Sequence, residues 1–336
     1  MNMKYRVNRL IKTILFHLGF FNFIRLIFPN RRVAILRYHA VVDPHRCDYA
    51  SPGICISPQD FEKHVRYFAR HYRILSLDEV IDTIRAGKQP PRNAVVFTFD
   101  DGYADNLLAA EILQRYNASG IFYLTVSCID RVEPFWLFEA NHLILQSKNP
   151  QLRLQVQGRP IELALNNSAQ KNLAIREVVR IIKSNNRAIR ESVREQMRQQ
   201  LATENFHAAA DRVMLTWEQI RWMLENGMLI GGHTMTHLNL PNANPDEARD
   251  EIFSCRLALE KKLGIPIRHF SVPNSGPYPY YNHRVKQMVA ESGYISTVTS
   301  AHGFVDTTSD LLELRRIRTV PELWETIATI ELGKFS

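Results

Sequence analysis

Two short segments of this 336-residue chain carry most of its chemistry. The first is Thr98-Phe99-Asp100-Asp101-Gly102-Tyr103, which closes the apolar run Ala94-Val95-Val96-Phe97. Neighbouring side chains on a regular strand point to opposite faces. Two adjacent carboxylates therefore share one cavity only if the strand stops there, and Gly102 permits the turn that stops it. Asp at a strand-to-helix junction is also a common helix N-cap, so the pair alone has two readings. The second segment is Gly231-Gly232-His233-Thr234-Met235-Thr236-His237, after the apolar Met228-Leu229-Ile230. Two imidazoles four residues apart, joined by a carboxylate from elsewhere, make a donor set that suits a divalent cation such as zinc. Histidines at this spacing are by default structural; the glycines, read as clearing space beside them, and the matching strand end favour the metal. A third segment, His269-Phe270-Ser271-Val272-Pro273-Asn274-Ser275-Gly276, also ends a strand in Pro and Gly, as a loop approaching a substrate does.

The elements that position these segments follow from the hydrophobic pattern. From Val33 onward, short β-branched or aromatic runs alternate with helical patterns, the signature of a parallel sheet or barrel. Strands are predicted at Val33 to Val41, Arg73 to Leu77, Ala94 to Phe99, Gly120 to Val126, Met228 to Gly232, His269 to Pro273, Ile295 to Thr299 and Leu314 to Val320. Helices are predicted at Pro58 to Tyr72, Ala104 to Tyr116, Thr216 to Asn226, Pro245 to Leu263 and Tyr281 to Ser292. Both chemical segments then sit at C-terminal strand ends, the face on which barrel enzymes build their sites. The rhythm breaks between Asp130 and Leu215, a stretch of about 85 residues that is too long for an ordinary loop and must be an insertion with structure of its own. There Ile175, Val178, Ile182, Ile189, Val193, Met197 and Leu201 recur at helical spacing, and Ser184-Asn185-Asn186 divides them into two helices. Arg176, Arg180, Lys183, Arg187, Arg190, Arg194 and Arg198 fall on other faces and read as a solvated stripe.

The charge balance, 42 Lys and Arg against 34 Asp and Glu, is +8. Seven of those cations (Lys4, Arg6, Arg9, Lys12, Arg25, Arg31 and Arg32) lie in residues 1–32 with no acid among them, leaving 35 against 34 in a nearly neutral body. That distribution argues against nucleic-acid binding, which spreads cations over a folded face. The apolar stretch Thr13 to Ile24 is interrupted by His17, Gly19 and Asn22 and is short of the roughly 20 apolar residues of a spanning helix. No small-residue cleavage site follows it, which disfavours a secretory signal. The segment reads either as a basic apolar element on an anionic membrane surface or as an extra helix on the barrel, although Asn22 and Arg25 fall away from the Arg9 and Lys12 side. Cys47, Cys55, Cys128 and Cys255 form no CxxC pair and need no disulfide framework. The resulting expectation is a cytoplasmic protein, peripheral at the inner membrane.

In order and spacing, the three segments resemble the polysaccharide deacetylases, carbohydrate esterase family four, over Val33 to Val320. Leu36-Arg37-Tyr38-His39-Ala40-Val41 is similar to the first strand of the exopolysaccharide-biosynthesis branch, where Thr297-Val298-Thr299, Gly303 and Leu314-Arg315-Arg316-Ile317 also find counterparts. The resemblance implies an α/β fold: a distorted (β/α) barrel of seven or eight units at 33–336, with a mainly helical insertion at 130–215. It implies a metal-dependent hydrolase that removes N-acetyl groups from amino-sugar units of a polysaccharide or lipid-linked oligosaccharide. Asp100 is then the general base, and Asp101, His233 and His237 hold a divalent metal, zinc first and cobalt or nickel as alternatives. Three protein ligands leave a position for water, whose pKa a zinc site lowers to about 7. The backbone N–H near Asn274 is the implied oxyanion donor, and Tyr103, Pro273 and Asn274 are implied pocket residues.

The chain departs from well-known members in two places. Its third motif reads Ser-Val-Pro-Asn, and no Leu-x-His near the C-terminus supplies the histidine that protonates the departing amine. His39, at the end of the first strand, is the leading replacement, with His302 a weaker one. Arg316 is expected to line the substrate site or to orient Asp100, and Trp136 to offer a sugar-stacking platform or to be core. Two other readings compete with the hydrolase: a glycan-binding barrel that has lost turnover, and an amidohydrolase acting on a non-sugar amide.

Overall fold

The computed structural model describes residues 3–201, 206–276 and 278–335; residues 1, 2 and 202–205, which fall in the N-terminal segment and the insertion, lie outside the described residues. Two helices, α1 (Met3–His17) and α2 (Phe20–Ile27), precede the barrel. They are bent by 70° at a break where Gly19 takes φ 75°, so one helical wheel drawn through Asn22 and Arg25 mixes two axes.

The barrel opens with β1 (Ala34–Tyr38) and continues through α3 (Pro58–His71), β2 (Arg73–Ile74), α4 (Leu77–Arg85), β3 (Ala94–Phe99), α5 (Asn106–Arg115) and β4 (Gly120–Leu124). A single turn, α6 (Val126–Ile129), leads into the insertion, built from α7 (Trp136–Gln146), an antiparallel hairpin of β5 (Gln151–Val156) and β6 (Arg159–Ala164), α8 (Ser168–Ser184), α9 (Arg187–Leu201) and α10 (Phe206–Ala210). The barrel resumes with α11 (Trp217–Glu225), β7 (Leu229–Gly232), α12 (Pro245–Leu263), β8 (His269–Ser271), α13 (His283–Glu291), β9 (Ser296–His302), β10 (Leu314–Arg318) and α14 (Leu323–Gly333).

Seven parallel strands close in the order β1-β10-β9-β8-β7-β4-β3 and back to β1, with β2 as an eighth strand on β3. All eight predicted strands are present. The hairpin, α4 and α14 were not predicted, although α4 carries Leu77, Val80, Ile81 and Ile84 at helical spacing behind a Ser76–Glu79 capping box. The hairpin turns at Gln157-Gly158, both at positive φ, as two-residue turns between twisted strands require.

Alternation along the strands sorts side chains into two cores. Ile35, Val96, Ile121, Tyr123, Val298 and Leu314 form the barrel interior, closed at one end by the apolar face of α4. Asp78 of α4 bonds His269 at 2.9 Å and also Arg268, which ties that helix to the start of β8. The residues of opposite parity, such as Leu36, Phe97, Phe99 and Phe122, pack outward against the helices. With its N-terminal end plugged by α4 and by the Asp78–His269–Ser296 hydrogen bonds, the barrel opens to solvent at its C-terminal end.

Candidate active site

Asp100 and Asp101 leave the end of β3, and His233 and His237 the end of β7, with only β4 between the two strands. Asp101 takes φ 80° and Gly102 φ 85°, and this left-handed turn lets adjacent carboxylates enter one cavity. Thr234, His237 and Asn274 also hold φ of 67°, 55° and 74°. Such conformations cost about 1–3 kcal/mol each and persist where surrounding contacts impose them. Gly231 and Gly232 serve a different purpose from the one expected. A Cβ at Gly231 would lie 2.5 Å from the Tyr123 ring, and one at Gly232 would lie 2.4 Å from the Tyr294 hydroxyl, so the space they clear is occupied by core tyrosines.

Asp101 Oδ1 lies 3.4 Å from His233 Nε2 and 3.4 Å from His237 Nε2. A tetrahedral ion with bonds of about 2.0–2.2 Å sets its ligand atoms about 3.3–3.6 Å apart, so the donors fit a metal better than they fit direct hydrogen bonds. All three side chains are buried, and their donor atoms fall within 4.8 Å of one another. His233 Nδ1 donates to the Ser271 carbonyl at 2.8 Å, leaving the Nε2 lone pair facing Asp101. Burial pushes His237 down, keeping its imidazole neutral. Burial opposes ionisation of Asp101, but the two imidazoles hold its carboxyl well below the usual range. An ionised carboxylate beside a neutral imidazole is the protonation state a metal ligand set needs.

Asp100 turns away from that cluster. Its Oδ1 accepts from Arg316 Nη1 at 2.8 Å and Ser271 Oγ at 3.0 Å, and its Oδ2 accepts from Arg316 Nη2 at 2.7 Å. Burial pushes its pKa up, but Arg316, then His233 and His39, hold it well below the carboxylate range. His39 Nε2 stands 3.7 Å from Asp100 Oδ2, and burial pushes this imidazole down to about 4.

These groups line a cavity of about 400 Å3. His39 and Asn274 line it as expected, with Leu137 from the insertion. Arg37 and Arg318, partners across β1 and β10, and Lys183 make part of its wall cationic. Four expected substrate contacts are not in that wall. Tyr103 is fully buried, its ring 5.5 Å from Tyr49 and 5.7 Å from Phe135, because it follows the left-handed turn back into the core. Pro273 is buried beneath the loop whose next residues, Asn274 and Ser275, reach the cavity. Arg316, with 1% of its surface exposed, is fully engaged with Asp100 and with the Thr299 carbonyl, and so holds the Asp100 carboxylate in place and does not face the cavity. Trp136 is buried against the His237 ring at 5.8 Å and donates Nε1–H to the His237 carbonyl at 3.3 Å, which leaves no face for a sugar. His302 lines a different cavity with Arg32 and Asp306.

The stripe read as solvated contains the residues the sequence reading missed. Arg190 and Arg194 of α9 are buried. Arg190 donates to the Thr236 carbonyl at 3.1 Å and to its Oγ1 at 3.0 Å, while Glu251 of α12 accepts from Thr236 N–H at 2.8 Å. Arg194 bonds Glu139, Glu133 and the Pro134 carbonyl, fixing the segment that carries Trp136. The insertion thus grips the His233–His237 loop at two points. The available signal was the i, i+4 spacing of Arg190, Arg194 and Arg198 together with acids at 133, 139 and 191.

A family profile described as polysaccharide deacetylase matches residues 87–296. A search of curated proteins finds no match. Among solved structures, the Streptococcus pyogenes deacetylase PplD in complex with acetate is similar over 89% of this chain and 98% of its own, at 20% identity and a TM-score of 0.57. IcaB from Ammonifex degensii is similar over 90% and 97%, at 16% identity and 0.56. The BpsB deacetylase domain from Bordetella bronchiseptica is similar over 86% and 96%, at 17% identity and 0.50. At these identities the likeness is one of fold.

Proposed function

The chain belongs to the polysaccharide deacetylase family, and from that premise we propose that it cleaves the N-acetyl amide of amino-sugar units using Asp100, His39 and a cation held by Asp101, His233 and His237. Members of this family are hydrolases acting on acetylated polysaccharide. The observation that carries the residue assignment is the 3.4 Å spacing of Asp101 from both imidazoles, with Asp100 beside it and turned the other way. Zinc suits two nitrogens and one carboxylate oxygen, and when bound it supplies Lewis acidity to a water molecule and to the acyl oxygen.

The chain's own residues account for the proton movements. Asp100 Oδ2 accepts the proton of the attacking water, and the Arg316 fork keeps that carboxylate ionised and aimed. His39, neutral at rest because burial lowers it, has its Nε2 3.7 Å from that oxygen and relays the proton taken up by Asp100 to the departing amine nitrogen as the amide C–N bond breaks. The backbone N–H of Asn274, on a left-handed loop at the cavity, donates to the oxyanion. Products are acetate and a free amine on the sugar.

The test is acetate release from N-acetylglucosamine oligomers by metal-stripped protein before and after zinc is restored. Asp100→Asn is expected to bind zinc as the wild type does and to release acetate about 100-fold or more slowly. His233→Ala is expected to lose tight zinc binding. Zinc binding by the wild type without acetate release from any oligomer would instead favour a glycan-binding barrel.

A further inference from the structure

We propose that α1 and α2, together with the end of α14, dock this protein on the surface of an anionic lipid bilayer, with the catalytic cavity opening beside the membrane plane. Both helices are apolar on two sides. One side is committed to the barrel: Phe21 lies in the core, Phe16 packs against Tyr67 at 5.7 Å, and Arg25 is buried, bonding Asn22 at 3.0 Å and His71 at 3.3 Å.

The other side meets solvent. Val7, Leu10, Ile11 and Ile14 repeat at helical spacing along α1, Leu18 follows just past its end, and Leu10 and Leu18 are 61% and 76% exposed. Phe20, Phe23, Leu26 and Ile27 continue the surface on α2, with Phe23 60% and Leu26 75% exposed. Phe28 and Phe335, ring centroids 5.7 Å apart, extend it to the end of α14. Soluble monomers rarely leave so many large apolar side chains of neighbouring elements exposed to water.

The charges beside the face select its occupant. Arg31 and Arg92, both exposed, border a surface cavity shared with Ile27, Phe28 and Phe335, so free cations flank an apolar tip, whereas Arg32 and Lys334 in the same wall are committed to the Gly333 and Lys334 carbonyls and to Glu331. That pairing matches acyl chains below anionic headgroups. A symmetric dimer through the same face would instead gather the cations of both copies at one interface. Crossing the membrane is also disfavoured: no single helix among the described residues is long and apolar enough, and the 70° bend and committed inner side leave the pair lying flat. Finally, Arg9 of α1 bonds Glu322 at 2.8 Å and lines the catalytic cavity with Glu322 and Glu325. The docking helix is therefore part of the cavity rim, and the substrate it favours is a glycan held at the bilayer; this last step rests on the deacetylase reading, whereas the docking does not.

The experiment is co-sedimentation of the full chain with vesicles of phosphatidylcholine alone or with about one third phosphatidylglycerol. Binding to the anionic vesicles is expected to be about tenfold tighter and to weaken as salt is added. The triple variant Leu10→Asp/Ile14→Asp/Phe23→Asp, all at exposed sites, is expected to bind about tenfold less while keeping the wild-type circular dichroism and its rate on soluble oligomers. Absence of vesicle binding, equal binding by the triple variant, or a wild-type dimer that the variant dissociates would each overturn the docking. A second arm uses an N-acetylglucosamine oligomer anchored to lipid in the same vesicles. The wild type is expected to outpace the variant there, and equal rates would overturn the placement of the cavity. Lack of activity on every oligomer, with vesicle binding intact, would count against the deacetylase reading alone.

Discussion

Replacing Arg190 with Met removes the link between the insertion and the histidine loop while roughly keeping the buried volume. Arg190 gives Thr236 two hydrogen bonds, at 3.1 and 3.0 Å, and its Nε pairs with Glu191 at 2.7 Å. Charge-assisted hydrogen bonds contribute about 1.5–3 kcal/mol each, and the buried methionine stem returns part of that, so a net loss of about 3 kcal/mol is expected. For 336 residues, unfolding entropy of about 2.1 cal/mol/K per residue is about 0.7 kcal/mol/K, so this loss lowers the melting temperature by about 4 °C. The larger consequence falls on the site. Thr236 precedes His237, whose left-handed backbone depends on being held, and loss of an outer partner of a metal ligand typically lowers metal affinity by about 10–100-fold. The assay is zinc titration of stripped protein by calorimetry, beside thermal unfolding of the stripped form. A variant that melts lower yet binds zinc within about twofold of wild type would refute the argument, since the network would then be stabilising without positioning the loop. Glu251→Gln, which weakens the opposite grip on Thr236, should couple with Arg190→Met in a double-mutant cycle.

Three further outcomes are expected. Trp136→Phe removes the donor to the His237 carbonyl but no substrate contact, so kcat and zinc affinity should fall while KM stays within about twofold; a large rise in KM would restore a sugar-stacking role. Gly232→Ala places a Cβ 2.4 Å from the Tyr294 hydroxyl, and overpacking of this kind should cost about 1–3 kcal/mol, read as a lowered melting temperature; an unchanged value would mean that Tyr294 moves freely. The His269 hydrogen bond, outweighing partial burial, holds Asp78 below its ordinary value of 3.8. Its stabilising contribution is therefore complete above that value and is lost as pH falls through the folded one. The stability gap between wild type and Asp78→Asn should accordingly be open at about pH 7 and close as the pH falls through the lowered folded-state value, measured by urea unfolding, and a gap independent of pH would exclude the Asp78 carboxylate as its source.

How legible each part was depended on how local its cause is. The eight strands announce themselves as β-branched and aromatic runs between helical patterns, and the break near Asn185 follows from three consecutive polar residues, where α8 ends and α9 begins two residues later. The hairpin at Gln151–Ala164 was readable from alternating Leu152, Leu154, Ile161 and Leu163, but is masked by its position inside a largely helical stretch. The stripe of Arg190, Arg194 and Arg198 could not be read correctly from spacing alone. An arginine on the polar face of a helix looks the same whether that face meets water or buried partners, and here Thr236, which holds Arg190, and Glu139, which holds Arg194 and Arg198, come from distant segments and decide it.

The four residues proposed for the centre, Asp100, Asp101, His233 and His237, were visible because strand ends, glycines and side-chain types are properties of a few consecutive residues. Whether a side chain in their neighbourhood touches substrate, metal ligand or core was not, because that depends on which way a left-handed turn throws it: Asp101 and Tyr103, two residues apart, end in the cavity and in the core. Composition likewise showed a basic, apolar N-terminus, but only the packing of α1 and α2 shows that a second apolar side remains uncovered once the first is used, and that Arg9 joins it to the cavity rim. A sequence records what each residue prefers to contact, and the closed barrel, by limiting which surfaces can be buried at once, decides which of those preferences are met.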